Sequence, residues 1–492
     1  MMKVKDMQIT TDKIDEVVNP PKDAPFNSVP PKELDKIGMQ SYVLINTGLR
    51  NFAVVSVKVG NRRVFAVTGE AGPAASVKLA TKDGVVGEHH VRSAIVCFDS
   101  DGNVLFREDF SHEKDNCSIC VYPAFIDISG NGDWAVSYIA GGRGMHDIYL
   151  RLIDGELIWK TPVPGKNKWG NGSCISGDIN NDGKVEIVYG CNTAVVCIDA
   201  ASGKILWVYD NAVAICHGRL SYGDVNGDGK GEICFGTEYS DNHDKCLSSI
   251  VVLDCNGNEV ARKRNILGDL GSTQTVLADI NNDGKLEILN ASQNLCWNEP
   301  RHPSNIFAFD GNLDETYPAI ANGCPRFSVA DVDGDGHLEA VGITDYRDGG
   351  TLRQFAVVCT DLLTGKIKWA LPVSRCWLTG DSVCADFDGD GKQEVLLTSN
   401  YGTGYSFQPE EKPWSDVYVV KADGTLLFCK TFPNMIYSPI VADVDGDGLA
   451  EIVAPCYDGN IYVIKTPAKA CDADWPFVCQ NVQRTGVYPN NG

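Results

Sequence analysis

No apolar run in the 492-residue chain approaches the length of a membrane span, which argues against a transmembrane helix. No concentrated basic stretch is present either. Acidic residues (65) outnumber basic ones (43), for a net charge of −22. Phosphate binding needs a clustered basic face, so nucleic acid is excluded as a partner class. After Met1 there is no basic n-region leading into an apolar h-region, the pattern of a secretory leader. Histidine is sparse, with eight residues.

Cysteine is plentiful, but a disulfide framework is missing. The total of 19 is odd, and Cys97, Cys197 and Cys359 recur at one place in three similar segments, Ile-Val-Cys-Phe-Asp, Val-Val-Cys-Ile-Asp and Val-Val-Cys-Thr-Asp. That is how a small buried apolar residue behaves in a strand. The one CxxC, Cys117 to Cys120, has no second CxxC to complete a zinc site. A reducing compartment follows: cytoplasmic as the sequence stands, secreted if a leader has been removed.

What the chain has instead is one acidic loop repeated six times. The first three copies place Asp178, Asn180, Asp182 and Glu186; Asp224, Asn226, Asp228 and Glu232; and Asp279, Asn281, Asp283 and Glu287 at positions 1, 3, 5 and 9. The last three carry aspartate at position 3 as well: Asp331, Asp333, Asp335 and Glu339; Asp386, Asp388, Asp390 and Glu394; Asp443, Asp445, Asp447 and Glu451. With Gly at position 6 to turn the backbone, these oxygens converge on one point. A hard cation taking six to eight oxygens at about 2.4 Å suits such a cage, and Ca2+ at about six sites is the expected cofactor. The six loops hold 21 carboxylates, and six dications would bring the net charge from −22 to −10. The alternative is a set of Asp-Gly turns without metal.

Loop starts at 178, 224, 279, 331, 386 and 443 are 46, 55, 52, 55 and 57 residues apart. A short apolar strand enters each loop, a second leaves it, and a third and fourth follow, as in Ala194-Val-Val-Cys-Ile-Asp199 and Gly203-Lys-Ile-Leu-Trp207. Four antiparallel strands per unit of roughly fifty residues make a propeller blade. Two further units lack a complete loop: one around Asp127 to Ala135, the other around Val54 to Asn61. The expected fold is therefore all-β, a single eight-bladed β-propeller of four-stranded antiparallel blades over residues 41–492, with seven blades as the alternative. Residues 1–40 read as a partly disordered N-terminal extension. The last unit stops short of its outer strand, so either residues 39–47 or the C-terminal tail must close the ring.

These Asp-x-[Asp/Asn]-x-Asp-Gly-x-x-Glu loops in four-strand units resemble the FG-GAP/VCBS calcium repeats of integrin-like propellers. The Gly-Lys-Ile-Leu-Trp strands and the tail beginning Trp475-Pro-Phe are similar to quinoprotein-like (PQQ-type) propeller repeats. The resemblance covers about 440 residues and implies architecture; such propellers serve adhesion, glycan binding and catalysis alike. In style the nearest enzymes are calcium-bearing rhamnogalacturonan lyases, whose N-terminal β-domain is missing here and whose active-site residues do not align.

Propeller geometry puts the acidic loops on one face and the remaining long loops on the other. His337 lies in an acidic loop; His89, His90, His112, His146, His217, His243 and His302 fall on the opposite face. With them lie Arg219, Arg301, Arg326, Arg375, Trp169, Trp297, Trp377 and Tyr239. Aromatic rings stack on sugars and guanidinium forks grip carboxylates, so a uronate-containing polysaccharide is the expected partner of a monomeric protein. Residues five and seven before each loop aspartate should ring the channel mouth, which assigns Asn171, His217, Arg219, Gln274, Arg326 and Asp381 to it, beside Cys120, Tyr122 and Ser438.

The favoured activity is a polysaccharide lyase. In β-elimination Arg219 or Arg326 would neutralise the uronate, His217 would take the proton and Tyr239 or Tyr122 would protonate the leaving oxygen. Trp169, Asn171, Gln274, Asp381, His146, His243, Trp297, Arg301, His302, Arg375 and Trp377 would bind substrate. A non-catalytic glycan- or protein-binding propeller is the alternative, and a quinone-dependent dehydrogenase is a third reading.

Overall fold

A computed structural model describes residues 33–71, 92–110, 117–120, 122–142, 145–165, 172–191, 193–210, 219–239, 241–242, 247–292, 304–321, 323–324, 326–348, 351–373, 381–401 and 413–470. Among them no helix is long and apolar enough to cross a membrane, and every regular element is a strand. The strands form eight antiparallel sheets taken up in chain order. The fold is an eight-bladed β-propeller, and the seven-bladed alternative drops out.

Blade 1 comprises Leu49–Val59, Arg62–Ala71, Arg92–Asp99 and Val104–Phe110. In blade 2 the first strand is split into Cys117–Ile119 and Ala124–Asp127, both paired with Trp134–Gly142; Met145–Leu152 and Leu157–Pro162 follow. Blades 3 to 6 begin at Cys174–Gly177, Ser221–Gly223, Thr275–Ala278 and Phe327–Ala330, and each has four strands. Blade 7 runs from Val383–Ala385 to Leu426–Phe432 and gains Leu34–Asp35 as a fifth strand. Blade 8 has Ile440–Ala442, Leu449–Pro455 and Asn460–Lys469, and its outer strand is Gln40–Asn46. The first of the two closing segments expected from the sequence therefore completes the ring, while the tail 471–492 lies outside the described residues. So do residues 1–32 of the expected extension.

Burial explains the strand patterns. Second strands such as Glu186–Cys191 are buried on both sides, because a neighbouring blade covers each face; such strands read as continuous apolar runs. Outer strands such as Ile205–Tyr209 alternate. The apolar core follows the ring, with clusters that join blades 1 to 3, blades 3 and 4, blades 4 and 5, blades 5 to 7, blades 7 and 8, and blades 8 and 1. Cys97, Cys197 and Cys359 are buried where third strands meet a bulge that turns the outer strand. Twelve cysteines among the described residues are free, and all but Cys255 are buried.

Outer-strand tryptophans tie blade to blade. The indole Nε1 of Trp159 donates to Ala200 O of blade 3 at 2.8 Å, and that of Trp207 donates to Cys255 O of blade 4 at 3.0 Å. Trp159 lies so close over Gly203 (φ 71°) that a Cβ there would stand 2.6 Å from the ring. Only glycine meets both the left-handed turn and the close approach.

Candidate functional site

The acidic loops join first and second strands on one face, as expected. Their sequence explains their shape. Position 4 is Asn181, Gly227, Asn282, Gly334, Gly389 or Gly446, and all six are left-handed (φ 59–80°). Position 6 is glycine throughout, with φ between 82° and 87°. Both residue types tolerate that region. The position-1 aspartate accepts backbone amides across the turn: Asp178 accepts those of Asp182 and Gly183 at 2.9 Å each. The closing glutamate, buried in every loop, accepts the amide of position 2, as Glu186 does from Ile179 at 2.9 Å and Glu451 from Val444 at 2.8 Å.

In the last three loops the carboxylates of Asp331, Asp333 and Glu339, of Asp386, Asp388 and Glu394, and of Asp443, Asp445 and Glu451 converge within 4.8 Å. Burial, with adjacent aspartates adding to it, pushes the carboxyls of Glu232, Glu287 and Glu451 up to about 7. That of Glu394 is pushed up to about 8, by burial and then Asp388. Glu394 Oε1 is buried without a hydrogen-bond partner, an uncompensated acceptor that fits a hard cation. Asp386, Asp388, Asp390 and Glu394 would hold such an ion, and calcium there would supply the positive charge that the buried Glu394 oxygen lacks. In the loops of blades 4 and 5 Asn at position 3 plays another part: Asn226 Nδ2 donates to Glu232 Oε1 at 2.8 Å and Asn281 Nδ2 to Glu287 Oε1 at 3.2 Å.

The second centre is on the axis. Parallel bridges Arg219 to Gln274 and Ala53 to Ser438 join neighbouring blades just ahead of the first strands of blades 4, 5 and 8. The residue five before each loop aspartate thus falls on the channel: Tyr122, Ser173, Arg219, Gln274, Arg326, Asp381 and Ser438, all 9 % exposed or less. Their side chains meet across it. Arg219 forms an ion pair with Asp381, donates to Tyr122 Oη at 2.7 Å and to Gln274 Oε1 at 2.9 Å, and stacks 4.8 Å over the Tyr122 ring. Arg326 donates to Tyr437 Oη at 2.8 Å and to Tyr122 Oη at 3.3 Å. Ser438 Oγ donates to Asp381. Six blades contribute.

Burial alone would raise the Asp381 carboxyl, but the Arg219 and Arg326 guanidiniums outweigh it and hold the group below its ordinary range. Burial raises the Tyr122 hydroxyl, and the two guanidiniums do not cancel that. Gln274 Nε2 and Ser173 Oγ are buried with no hydrogen-bond partner.

The structure thus brings Arg219, Gln274, Arg326 and Asp381 together. His146 is 2 % exposed at the start of Met145–Leu152, and burial lowers its basicity. Tyr239 is left-handed (φ 45°) just after Glu232–Gly236, its amide on Ser248 Oγ at 2.9 Å. Trp169, Asn171, His217, His243, Trp297, Arg301, His302, Arg375 and Trp377 lie outside the described residues. Among the described residues the seven-before register gives the buried Cys120, Ser272, Cys324 and Ile436. Sequence reasoning missed Tyr437, which stands six before its loop aspartate. It also missed Lys368, Lys421 and Lys465, each of which forms an ion pair with the acidic loop of its own blade. A signal for two of them exists: Lys421 and Lys465 replace the aspartate that ends the third strand in blade 3 (Asp199) and blade 6 (Asp361).

An FG-GAP-like repeat matches residues 386–454, which span the acidic loops of blades 7 and 8. No curated protein matches the chain. Among solved structures, the Dos1 propeller is 11 % identical, with 88 % of this chain and 95 % of that one covered at a TM-score of 0.49. The V. cholerae biofilm matrix protein Bap1 is 14 % identical, with 92 % and 96 % covered at 0.40. A europium-containing methanol dehydrogenase is 10 % identical, with 70 % and 80 % covered at 0.40.

Proposed function

We propose that this protein is a calcium-loaded propeller that binds an anionic, uronate-containing polysaccharide at the channel mouth on the face opposite the acidic loops. The observation that carries the reading is the composition of the axial cluster. Two guanidiniums, Arg219 and Arg326, stand with one carboxylate, Asp381, among tyrosine hydroxyls and an amide. Such a centre favours the approach of an anion, and low-dielectric walls strengthen that field. The same residues are buried and engaged with one another, so the cluster acts on an anion at the mouth through its field.

The test is affinity electrophoresis through a polyuronate and through the same polymer with its carboxylates reduced to alcohols. Retardation by the polyuronate alone, weakening as salt rises, is the expected result. Equal migration in both gels overturns the reading.

Cleavage by β-elimination is the second reading, and one observation favours it: Arg219 and Arg326 both donate to Tyr122 Oη. A tyrosine kept protonated by burial beside two cations suits the acid that protonates a leaving oxygen. A rise in ultraviolet absorbance from an unsaturated uronate, lost in Tyr122→Phe, distinguishes cleavage from binding alone.

A further inference from the structure

Glu339 and Glu394 close their loops from equivalent buried positions, and both are fully shielded from solvent. Each accepts the position-2 amide through Oε2, from Val332 at 3.0 Å and Phe387 at 2.7 Å. Their other oxygens differ. Glu394 Oε1 has no partner, whereas Glu339 Oε1 takes the Lys368 ammonium at 2.6 Å. The same ammonium donates to Asp333 Oδ2 at 2.8 Å and Asp335 Oδ2 at 3.2 Å. It therefore holds oxygens from positions 3, 5 and 9, three of the four side chains a cation would use.

The other two lysines do less. Lys421 reaches Asp388 Oδ2 at 2.6 Å and Asp390 Oδ2 at 2.7 Å but leaves the Glu394 oxygen bare. Lys465 reaches Asp445 Oδ2 at 2.8 Å from an exposed position. Lys368 comes from the outer strand Ile367–Pro372, one residue before Trp369; in blade 3 the residue before Trp207 is Leu206, which is 43 % exposed and brings no charge. An ammonium and a dication cannot share three oxygens, because they repel at that range.

We propose that Lys368 is the built-in cation of the Asp331 loop. Blade 6 closes its acidic turn without metal, and calcium enters that loop only if the ammonium leaves. The six loops are thus unequal: the Asp386 loop keeps an oxygen open for a metal, and the Asp331 loop does not. The inference rests on calcium being the ion of the remaining loops, and the experiment separates the two.

The calcium stoichiometry of the full chain is measured by calorimetry and native mass spectrometry for the wild type, Lys368→Met and Lys421→Met. Hydrogen exchange of Phe327–Ala330 and Glu339–Asp348 is followed with and without EGTA. The expected result is one more calcium in Lys368→Met than in the wild type, bound at least about tenfold more tightly than any calcium at that loop in the wild type, and no added calcium in Lys421→Met. EGTA should leave wild-type exchange in those two strands unchanged while it rises in Val383–Ala385 and Glu394–Tyr401. Equal stoichiometry in wild type and Lys368→Met, with calcium bound to both, overturns the role of Lys368 and leaves the calcium reading standing. Calcium bound by no variant overturns both. If Lys368→Met fails to fold, the wild-type exchange decides alone: equal loosening of blades 6 and 7 by EGTA sinks the proposal.

Discussion

Arg219 of blade 4 and Asp381 of blade 7 form an ion pair across the channel, with side chains 2 % and 3 % exposed. They start first strands on different sides of the ring, so the pair exists only when the ring is closed. Tyr122, Gln274, Arg326, Tyr437 and Ser438 complete it from four further blades. One polar plug thereby links blades that share no sheet.

Removing one partner of this pair should cost far more than removing both. Asp381→Ala leaves two buried guanidiniums without a carboxylate, and a broken buried pair typically costs about 3–5 kcal/mol. The double variant Arg219→Met, Asp381→Leu exchanges the pair for apolar volume and should recover much of that loss. Denaturant unfolding of the two variants measures the difference. A cost under about 1 kcal/mol for Asp381→Ala, the range of exposed pairs, would show that water reaches the plug.

Chelation should destabilise the ring in proportion to the loops that carry metal. A ligand that binds only the folded state adds about 2.7 kcal/mol per site at a hundredfold excess over its dissociation constant. Several loops thus make up a sizeable share of total stability. Thermal melts with calcium and with EGTA should differ by many degrees, and calcium should restore the higher value. Coincident melts count against metal in any loop.

How much of this was legible in the sequence follows from the distance over which each residue acts. The Asp-x-Asn-x-Asp-Gly loops are local: Asn181 and Gly183 are placed by their own backbone, so spacing alone revealed turn and strand pair. The count of five before the loop aspartate worked for Arg219, Gln274, Arg326 and Asp381 because each first strand repeats one register. Tyr437 escaped that count. It stands at six, beside Ser438 at five, and reaches the cluster with a long side chain that donates and accepts at its tip, where Arg326 meets it at 2.8 Å; a fixed count cannot see the neighbouring residue. Lys368 escaped because its partners, Asp333 to Glu339, are about thirty residues away and meet it only across the folded blade.

The pH dependence of stability should carry the mark of Asp269. This carboxylate is fully buried in the turn between blades 4 and 5, where Oδ1 accepts the amides of Gly271 at 2.9 Å and Ser272 at 3.0 Å. Oδ2 has no partner, and burial with the nearby Glu238 charge pushes the group up to about 7. A carboxyl raised on folding favours the native state while protonated. Its contribution is full below about pH 4, the ordinary value, declines as pH rises, and is gone once pH passes about 7. Asp269→Asn keeps an acceptor for the two amides and removes the charge. The variant should match the wild type near pH 4 and exceed it at pH 8 in denaturant melts; a constant difference across that range is the failing outcome.

Closure of the ring depends on Gln40–Asn46. This segment pairs with Asn460–Lys469 from Gln40 opposite Lys465 to Asn46 opposite Asn460, and so fastens the start of the propeller to its last blade. Next to it, Asn51 Nδ2 donates to Cys456 O at 3.0 Å and Arg63 Nε to Asp443 O at 2.7 Å, stitching blade 1 to blade 8. A chain that lacks residues 1–46 keeps those side-chain ties but leaves the ten-residue strand Asn460–Lys469 as a bare edge. Unpaired edges recruit other strands. The truncated protein should melt at lower temperature and aggregate on warming, and a synthetic peptide spanning Gly38 to Gly48 should reverse both. If light scattering and the melt match those of the full chain, the strap does not hold the ring.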